Sequence, residues 1–510
     1  MKANAGLAGE IFSGLAWTAW GKGARTVLQL VVLLILARLL TPEEFGVIGA
    51  AMIVIGLSEI LANVGLGPAL VQRPRLRRRH VSTAFSVSLI LSALIGAAVW
   101  AGSPMIAAFF ESRELEGVLK VLSLLFVIRG AAVTAESLAR REMRFKWLAN
   151  IETVSFAAGY LVVGVVLGVL GYGVWALVGA NLVVAAVRTG SLLWLFPPAG
   201  IAIRWRELRQ LLYFGGGFSI ARIANYAALN VDYLVVGRWL GVGALGLYGR
   251  AYQLMSVSAT AFGQVLDEVL FPSMAKMQAD QERLAHAYFR GISLVALVML
   301  PAGMFALALA PEVVAVALGS QWTEVTLPFQ ILVAGLMMRT SYKVSDSLAR
   351  ATGAVYRRAW RQAVYAALVF TGAAVGQMWG ITGVAAGVLG AVTVNFLLMA
   401  HISLKLVGAG WGRFFAAHGP AFLVAAISLS VGYTAAEVVR SLDVPHIAVL
   451  AAAAAAVLVA LLIALSLAPR AVLGVDGMWM FAFLKEYVRK FLKTRTGRHA
   501  AAGPLRAGTR

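Results

Sequence analysis

Fourteen stretches of about 20 predominantly apolar residues follow one another along this chain, and that length and character is what an α-helix needs to cross a bilayer. They centre near Val27, Ile55, Leu94, Ile128, Val162, Val184, Asn225, Met255, Val298, Met337, Leu368, Val392, Ile427 and Val457. The chain is 60% hydrophobic and 13% charged, against about 45–50% and about 25% in soluble proteins. Folding in water would leave far too much apolar surface exposed. The expected fold class is therefore an all-α membrane protein with about 14 transmembrane helices.

The spans repeat. Ala37-Arg38-Leu39-Leu40 with Gly46 and Gly49 returns 200 positions later as Gly237-Arg238-Trp239-Leu240 with Gly246 and Gly249. Arg129 followed by Glu136-Ser137-Leu138-Ala139-Arg140 returns 210 positions later as Arg339 followed by Asp346-Ser347-Leu348-Ala349-Arg350. Each repeat holds six spans, so both enter the membrane in the same direction and form a parallel repeat about an axis along the membrane normal. The expected division is 1–205 and 206–405 for two six-helix bundles, 406–470 for two further spans and 471–510 for a basic tail. Within that tail, 478–493 reads as an amphipathic helix on the cytoplasmic leaflet, with Trp479, Phe483, Tyr487 and Phe491 at helical spacing. The last dozen residues, rich in Gly, Ala and Arg, read as disordered.

Orientation follows from the basic residues. They crowd the connections after even-numbered spans: Arg73, Arg75, Arg77, Arg78 and Arg79 after span 2, Arg140, Arg141, Arg144 and Lys146 after span 4, Arg204, Arg206 and Arg209 after span 6. The alternation continues with Arg357, Arg358 and Arg361, then Lys405 and Arg413. Odd-numbered connections are short, or acidic and mixed as in 111–116 and 311–324. Both termini are therefore expected in the cytoplasm, with the protein multi-pass in its membrane. The first apolar segment, 11–39, is too long for a signal-peptide core and lacks a convincing cleavage site, so it reads as a retained span. The net charge of +21 suits loops facing anionic lipid, not nucleic acid. With no cysteine, disulfide and thiolate chemistry are excluded.

Intramembrane ionic residues mark the candidate site. A charge at the bilayer centre costs at least about 2.5–3.5 kcal/mol, so such groups should face a bundle interior or a wet cavity. Arg25 lies mid-span 1 and Arg222 mid-span 7; under the 200-residue offset Lys22 corresponds to Arg222, and Arg25 to Asn225. Arg129 and Arg339 lie at matched depths of spans 4 and 10. The structural alternative for each is an arginine bonded to a carboxylate or to backbone carbonyls of a neighbouring helix. Arg129 and Arg339 lean that way, because Glu136 and Asp346 lie about two turns away. Arg25 and Arg222 have no acid one turn away and lean toward binding an anion. Arg38 and Arg238 end their spans and read as interfacial side chains reaching for water; Arg188 and Arg250 are weaker candidates near span ends. Glu59 and Asp232 are the few intramembrane acids. Each reads either as a carboxylate exchanging a coupling proton or sodium or as the neutralising partner of a cavity arginine. Asn225 and Tyr226 are positioned to hydrogen-bond sugar hydroxyls, although polar helix contacts are commoner. Pro301 should kink span 9, and Gly215-Gly216-Gly217 in span 7 reads as a hinge or as close packing. No metal set, phosphate loop or catalytic grouping stands out.

The stretch Ala37-Arg38-Leu39-Leu40-Thr41-Pro42-Glu43-Glu44-Phe45-Gly46, with Asn63-Val64-Gly65-Leu66-Gly67-Pro68-Ala69-Leu70-Val71-Gln72-Arg73, resembles the opening signature of Wzx-type polysaccharide flippases. These belong to the multidrug/oligosaccharidyl-lipid/polysaccharide (MOP) superfamily, and the resemblance is closest to the colanic-acid-type branch. It implies two six-helix bundles in a V, as in MATE and MurJ proteins. It also implies transfer of an undecaprenyl-diphosphate-linked oligosaccharide to the periplasmic leaflet for exopolysaccharide, capsule or O-antigen synthesis. The implied partners are that lipid-linked glycan, membrane lipid, and polymerase and chain-length or export proteins. No cofactor is implied beyond H+ or Na+ as coupling ion. Physical chemistry agrees, because guanidinium groups suit a diphosphate. A drug exporter of the same superfamily would favour an acidic, aromatic cavity, which the arginine excess opposes. A lipid II flippase shares the diphosphate-polyprenyl chemistry and stays open. A polyprenyl-sugar polymerase or ligase would need larger outside loops with clustered carboxylates than this chain has.

Overall fold

The computed structural model describes residues 23, 26–63, 65–198 and 200–479, with the backbone alone at 63, 211–225, 227–228, 258, 261, 264–265, 268–269 and 355. Every regular element among them is helical. Nine helices among the described residues are long and apolar enough to cross a membrane, and Thr26–Leu39 (α1) is a shorter apolar one. One of the nine, Tyr356–Val407, contains two of the expected spans, divided at Gly380 with φ 68°. Each expected span centre falls within a helical segment.

The motif Thr41-Pro42-Glu43-Glu44 now has a physical meaning. It starts helix α2 (Pro42–Asn63). The Glu44 backbone N–H donates to Thr41 Oγ1 (3.3 Å), and the Thr41 N–H donates to Glu44 Oε2 (2.7 Å). That is a reciprocal capping box with proline at the first helical position, where its missing N–H is harmless. After α3 (Leu66–Gln72) and α4 (Arg78–Phe109), the fourth span is broken at Ser123 into α5 (Arg113–Leu122) and α6 (Leu124–Arg141). The fifth span runs from α7 (Phe145–Phe156) through a π-helical stretch, Ala157–Gly164, into α8 (Val165–Val169). The widened turn lies where α9 (Val174–Leu195) presses in: a Cβ on Gly159 would stand 2.5 Å from the Ala180 carbonyl oxygen. In lipid there is no hydrophobic drive between helices, so backbone approach through small residues holds such pairs.

In the second repeat, α10 (Trp205–Trp239) and α11 (Gly241–Lys276) meet at Gly241, φ 85°. The backbone of α10 is helical through Gly215-Gly216-Gly217. Helix α12 (Gln281–Ala308) continues across Pro301, and its first turn is capped by Asp280, whose carboxylate accepts from the Arg283 N–H at 3.1 Å. The tenth span is again broken, here at Gly335 between α14 (Thr326–Ala334) and α15 (Leu336–Ala351), following α13 (Ala310–Ala317). Then come α16 (Val355–Gly376), α17 (Gly380–Val407), α18 (Trp411–Arg440) and α19 (His446–Leu467).

By contacts the chain forms two compact units. One holds residues 1–257, 310–332 and 362–392; the other holds 258–309, 333–361 and 393–510. In the second unit α12 packs along α18, where Ser293 Oγ donates to the Ala417 carbonyl (3.1 Å). Ser293 also donates to Asp476 Oδ2 (3.1 Å), and the Arg290 guanidinium lies 4.3 Å from the Trp479 ring. The start of the tail is thereby fastened to α12; the rest of the expected amphipathic helix lies outside the described residues.

Candidate functional site

Within the first unit, elements from the two repeats are interlocked at one end. A helix leaves its last carbonyls without intrahelical donors. At the end of α1 those of Ala37 and Leu40 are taken by side chains of the distant segment that follows α13. Trp322 Nε1 donates to Ala37 O at 2.7 Å, and Gln321 Nε2 donates to Ala37 O (2.6 Å) and Leu40 O (3.1 Å). Trp322 is fully buried, and its ring centroid is 5.6 Å from that of Phe45. Arg38, expected to reach for water, donates to the Val316 carbonyl at 2.8 Å. The repeat-related Arg238 behaves alike, pairing with Glu111 at 2.5 Å beside the Phe109 ring. Thus the end of span 1 meets the connection between spans 9 and 10, and the end of span 7 meets the connection between spans 3 and 4. Neither Trp322 nor Gln321 stood out in the sequence, because their partners are backbone carbonyls about 280 residues away.

The same end holds the closest helix crossing among the described glycines. A Cβ on Gly46 would fall 1.6 Å from the Val242 carbonyl oxygen, and one on Gly246 would fall 1.8 Å from that of Pro42. Two glycines occupying one position of the repeat therefore meet across it.

The intramembrane ions are less open than expected. Arg129 Nη1 bonds Glu59 Oε2 at 2.7 Å, so its carboxylate comes from α2 and not from Glu136 on its own helix. Glu136 instead binds Arg140 (2.8 Å) and Arg188 (3.0 Å). The reason is geometric: two turns separate Arg129 from Glu136, whereas Arg140 is one turn on. The second unit repeats this arrangement. Asp346 pairs with Arg350 at 3.1 Å and also with Arg358, and Asp267 binds Arg350 and Ser347. Arg339, partly buried, lies two turns before Asp346 on α15. Asp232 is buried and accepts from the Tyr248 hydroxyl at 2.8 Å, a partner the sequence did not suggest. Tyr226, read as a partner for sugar hydroxyls or as a polar helix contact, donates to the carbonyls of Met52 (3.3 Å) and Ile53 (3.1 Å). It fits there because residue 56 is glycine: a Cβ would stand 2.3 Å from the phenolic oxygen. Asn230 donates to the Tyr226 carbonyl at 2.8 Å. Lys22 and Arg25 lie outside the described residues, as do the side chains of Asn63, Arg222 and Asn225.

Because Glu59 and Arg129 remain about a third and a quarter exposed, breaking their pair should cost less than the roughly 3–5 kcal/mol of a fully buried one. Glu59→Gln is expected to destabilise by about 1–3 kcal/mol, and adding Arg129→Gln should restore most of that. Thermal unfolding of Glu59→Gln, Arg129→Gln and the double variant in detergent measures it; a loss in the double variant equal to the sum of the two single losses would mean that the charges act separately.

Two helical repeats, interlocked where spans 1 and 7 meet the connections of the other repeat, form a fold of the MurJ and MATE kind. The chain superposes on the lipid II flippase MurJ in an inward closed conformation with a TM-score of 0.72, at 13% identity, over 88% of this chain and 99% of that one. It also superposes on an inward-facing multidrug resistance MATE family transporter of the MOP superfamily, with a TM-score of 0.59 at 16% identity, covering 75% and 95%. The polysaccharide biosynthesis protein family matches residues 35–327, more than half of the chain, and this chain belongs to that family. It is similar to the lipopolysaccharide biosynthesis protein WzxC of Escherichia coli K12, 26% identical over 440 residues, 84% of this chain and 88% of the relative. It is also similar to the teichuronic acid biosynthesis protein TuaB of Bacillus subtilis 168, 24% identical over 353 residues and covering 68% and 72%.

Proposed function

We propose that this protein flips a polyprenyl-diphosphate-linked oligosaccharide across the bacterial inner membrane, from the cytoplasmic to the periplasmic leaflet, by alternating access. The family match over residues 35–327 carries the reading. Chemistry supports it: a diphosphate bears two or more negative charges and cannot cross hydrocarbon unassisted, and the sequence carries several arginines within its apolar spans. Arg25 and Arg222, with Lys22 and Arg339 as further cations, hold the diphosphate in this scheme. The repeats 1–205 and 206–405 rock against each other, the prenyl tail stays in lipid, and both termini are cytoplasmic. The reaction is transport, with no bond made or broken. Glu59 or Asp232 couples it to a proton or sodium gradient. If Glu59→Gln and Asp232→Asn keep the full pH and sodium response, coupling lies elsewhere.

The deciding experiment is deletion. Lipid-linked repeat units should accumulate facing the cytosol while growth continues; their normal appearance outside would refute the proposal. Cell-wall collapse on depletion would instead favour lipid II as cargo.

A further inference from the structure

Between α2, α10 and α11, next to the Gly46–Gly246 crossing, lies a cavity of about 330 Å³. Phe45 and Gly49 line it from α2, Tyr233 from α10, and Arg250, Tyr252 and Gln253 from α11. Arg250 sits nine residues into α11, about 14 Å along the helix from its start at Gly241. Its guanidinium lies 3.9 Å from the Phe45 ring centroid and bonds the Gln253 side chain, while its buried Nε has no hydrogen-bond partner. Among the described residues, no carboxylate lies within ion-pair distance of it. Arg129, Arg188, Arg238 and Arg350, by contrast, each have an acid. The Tyr233 ring packs edge-on against Tyr252 at 5.4 Å.

We infer that this cavity binds an acidic sugar residue of the transported glycan, its carboxylate on Arg250 and its ring against Phe45, Tyr233 and Tyr252. The inference rests on the flippase reading and adds a substrate class to it. The volume lies near the lower end of the roughly 300–1,000 Å³ of ligand pockets, which suits a pyranose ring and excludes a long chain. A single guanidinium matches a single carboxylate; a diphosphate, with two or more charges, needs more cations than this cavity supplies. Aromatic faces suit the C–H face of a sugar and offer a phosphate nothing. The first repeat has Leu33, Ala50, Met52 and Ile53 at the positions of Tyr233, Arg250, Tyr252 and Gln253. The site is therefore built once and is not a by-product of the repeat.

The test uses purified full-length protein in nanodiscs and three probes: cellobiouronic acid (a glucuronic-acid-terminated disaccharide), cellobiose and farnesyl diphosphate. Wild type should bind the acidic disaccharide at least tenfold more tightly than the neutral one. Arg250→Gln should erase that preference and leave farnesyl diphosphate affinity unchanged, and Arg250→Lys should keep part of the preference. If Arg250→Gln fails to fold, Gly49→Ile, which fills the cavity and keeps the charge, should abolish binding of the acidic disaccharide. Equal binding of both disaccharides to wild type, or a preference that survives these variants, would overturn the inference. So would a loss of farnesyl diphosphate binding in Arg250→Gln as large as that for the acid. Translocation of a lipid-linked oligosaccharide in proteoliposomes is read separately, so its failure would sink the flippase reading while leaving the saccharide result standing.

Discussion

Valine in place of Gly46 or Gly246 should lower polysaccharide export more than a hundredfold while the protein still reaches the membrane. A Cβ at either position would lie under 2 Å from a backbone carbonyl oxygen of the facing helix, and a backbone atom cannot rotate aside as a flexible side chain can. The helices must separate, and the conformation in which α2 and α11 touch is lost. Alternating access needs each closed state in turn, so removing one halts the cycle. Export is measured in a deletion strain carrying the variant, with membrane abundance by immunoblot. The mechanism is checked on the native background, which has no cysteine. Val47→Cys, buried against the crossing, should become reactive to an impermeant maleimide only when Gly246→Val is also present. Full export from either valine variant would show that the crossing has no part in transport.

Charge reversal at Arg25 or Arg222 should likewise abolish export with the protein still inserted. Removing one partner of a desolvated, hydrogen-bonded charge pair costs about 2–5 kcal/mol, and each 1.4 kcal/mol is tenfold in affinity. A single alanine should therefore weaken binding of farnesyl diphosphate by roughly 30-fold or more, and the reversed charge should add repulsion. The motivation is their central depth in repeat-related spans, the property that makes an ionised residue hard to explain without a charged ligand or partner. Full activity in the double Arg25→Ala, Arg222→Ala variant would remove both from the binding site.

How much of this could be read from the residues depended on range. Helix α2 was legible as a span, whereas Thr41, Pro42 and Glu44 were read as a family signature and their capping of its start came only with the structure. The repeat of the two motifs was legible too, but the one-turn contacts within them, Glu136–Arg140 and Asp346–Arg350, were not read from it. The partner of Arg129 was not legible, since distance along one helix pointed to Glu136 whereas packing brought Glu59 from another. Tyr226 stayed open between sugar and helix contact for a related reason. A tyrosine facing glycine on a neighbouring helix looks, in sequence, no different from one facing water. Arg250 looked unremarkable near a span end, and only the arrangement of three helices surrounds it with rings and, among the described residues, leaves no acid beside it. The glycines at 46 and 246 were visible as a repeat, but their meeting face to face was not, because a periodic pattern records position along the chain and not which copies touch.

The reach from Trp322 back to Ala37 has a consequence for how the protein is made. At translation rates of about 5–20 residues per second, the 285 residues between them take roughly 15–60 s to synthesise. Throughout that interval the first span sits in the membrane with its terminal carbonyls lacking their eventual donors. The early chain must therefore be held by the insertion machinery, by lipid headgroups or by water until its other half emerges. A ribosome stalled after the sixth span would leave a nascent fragment exposed to quality-control proteases.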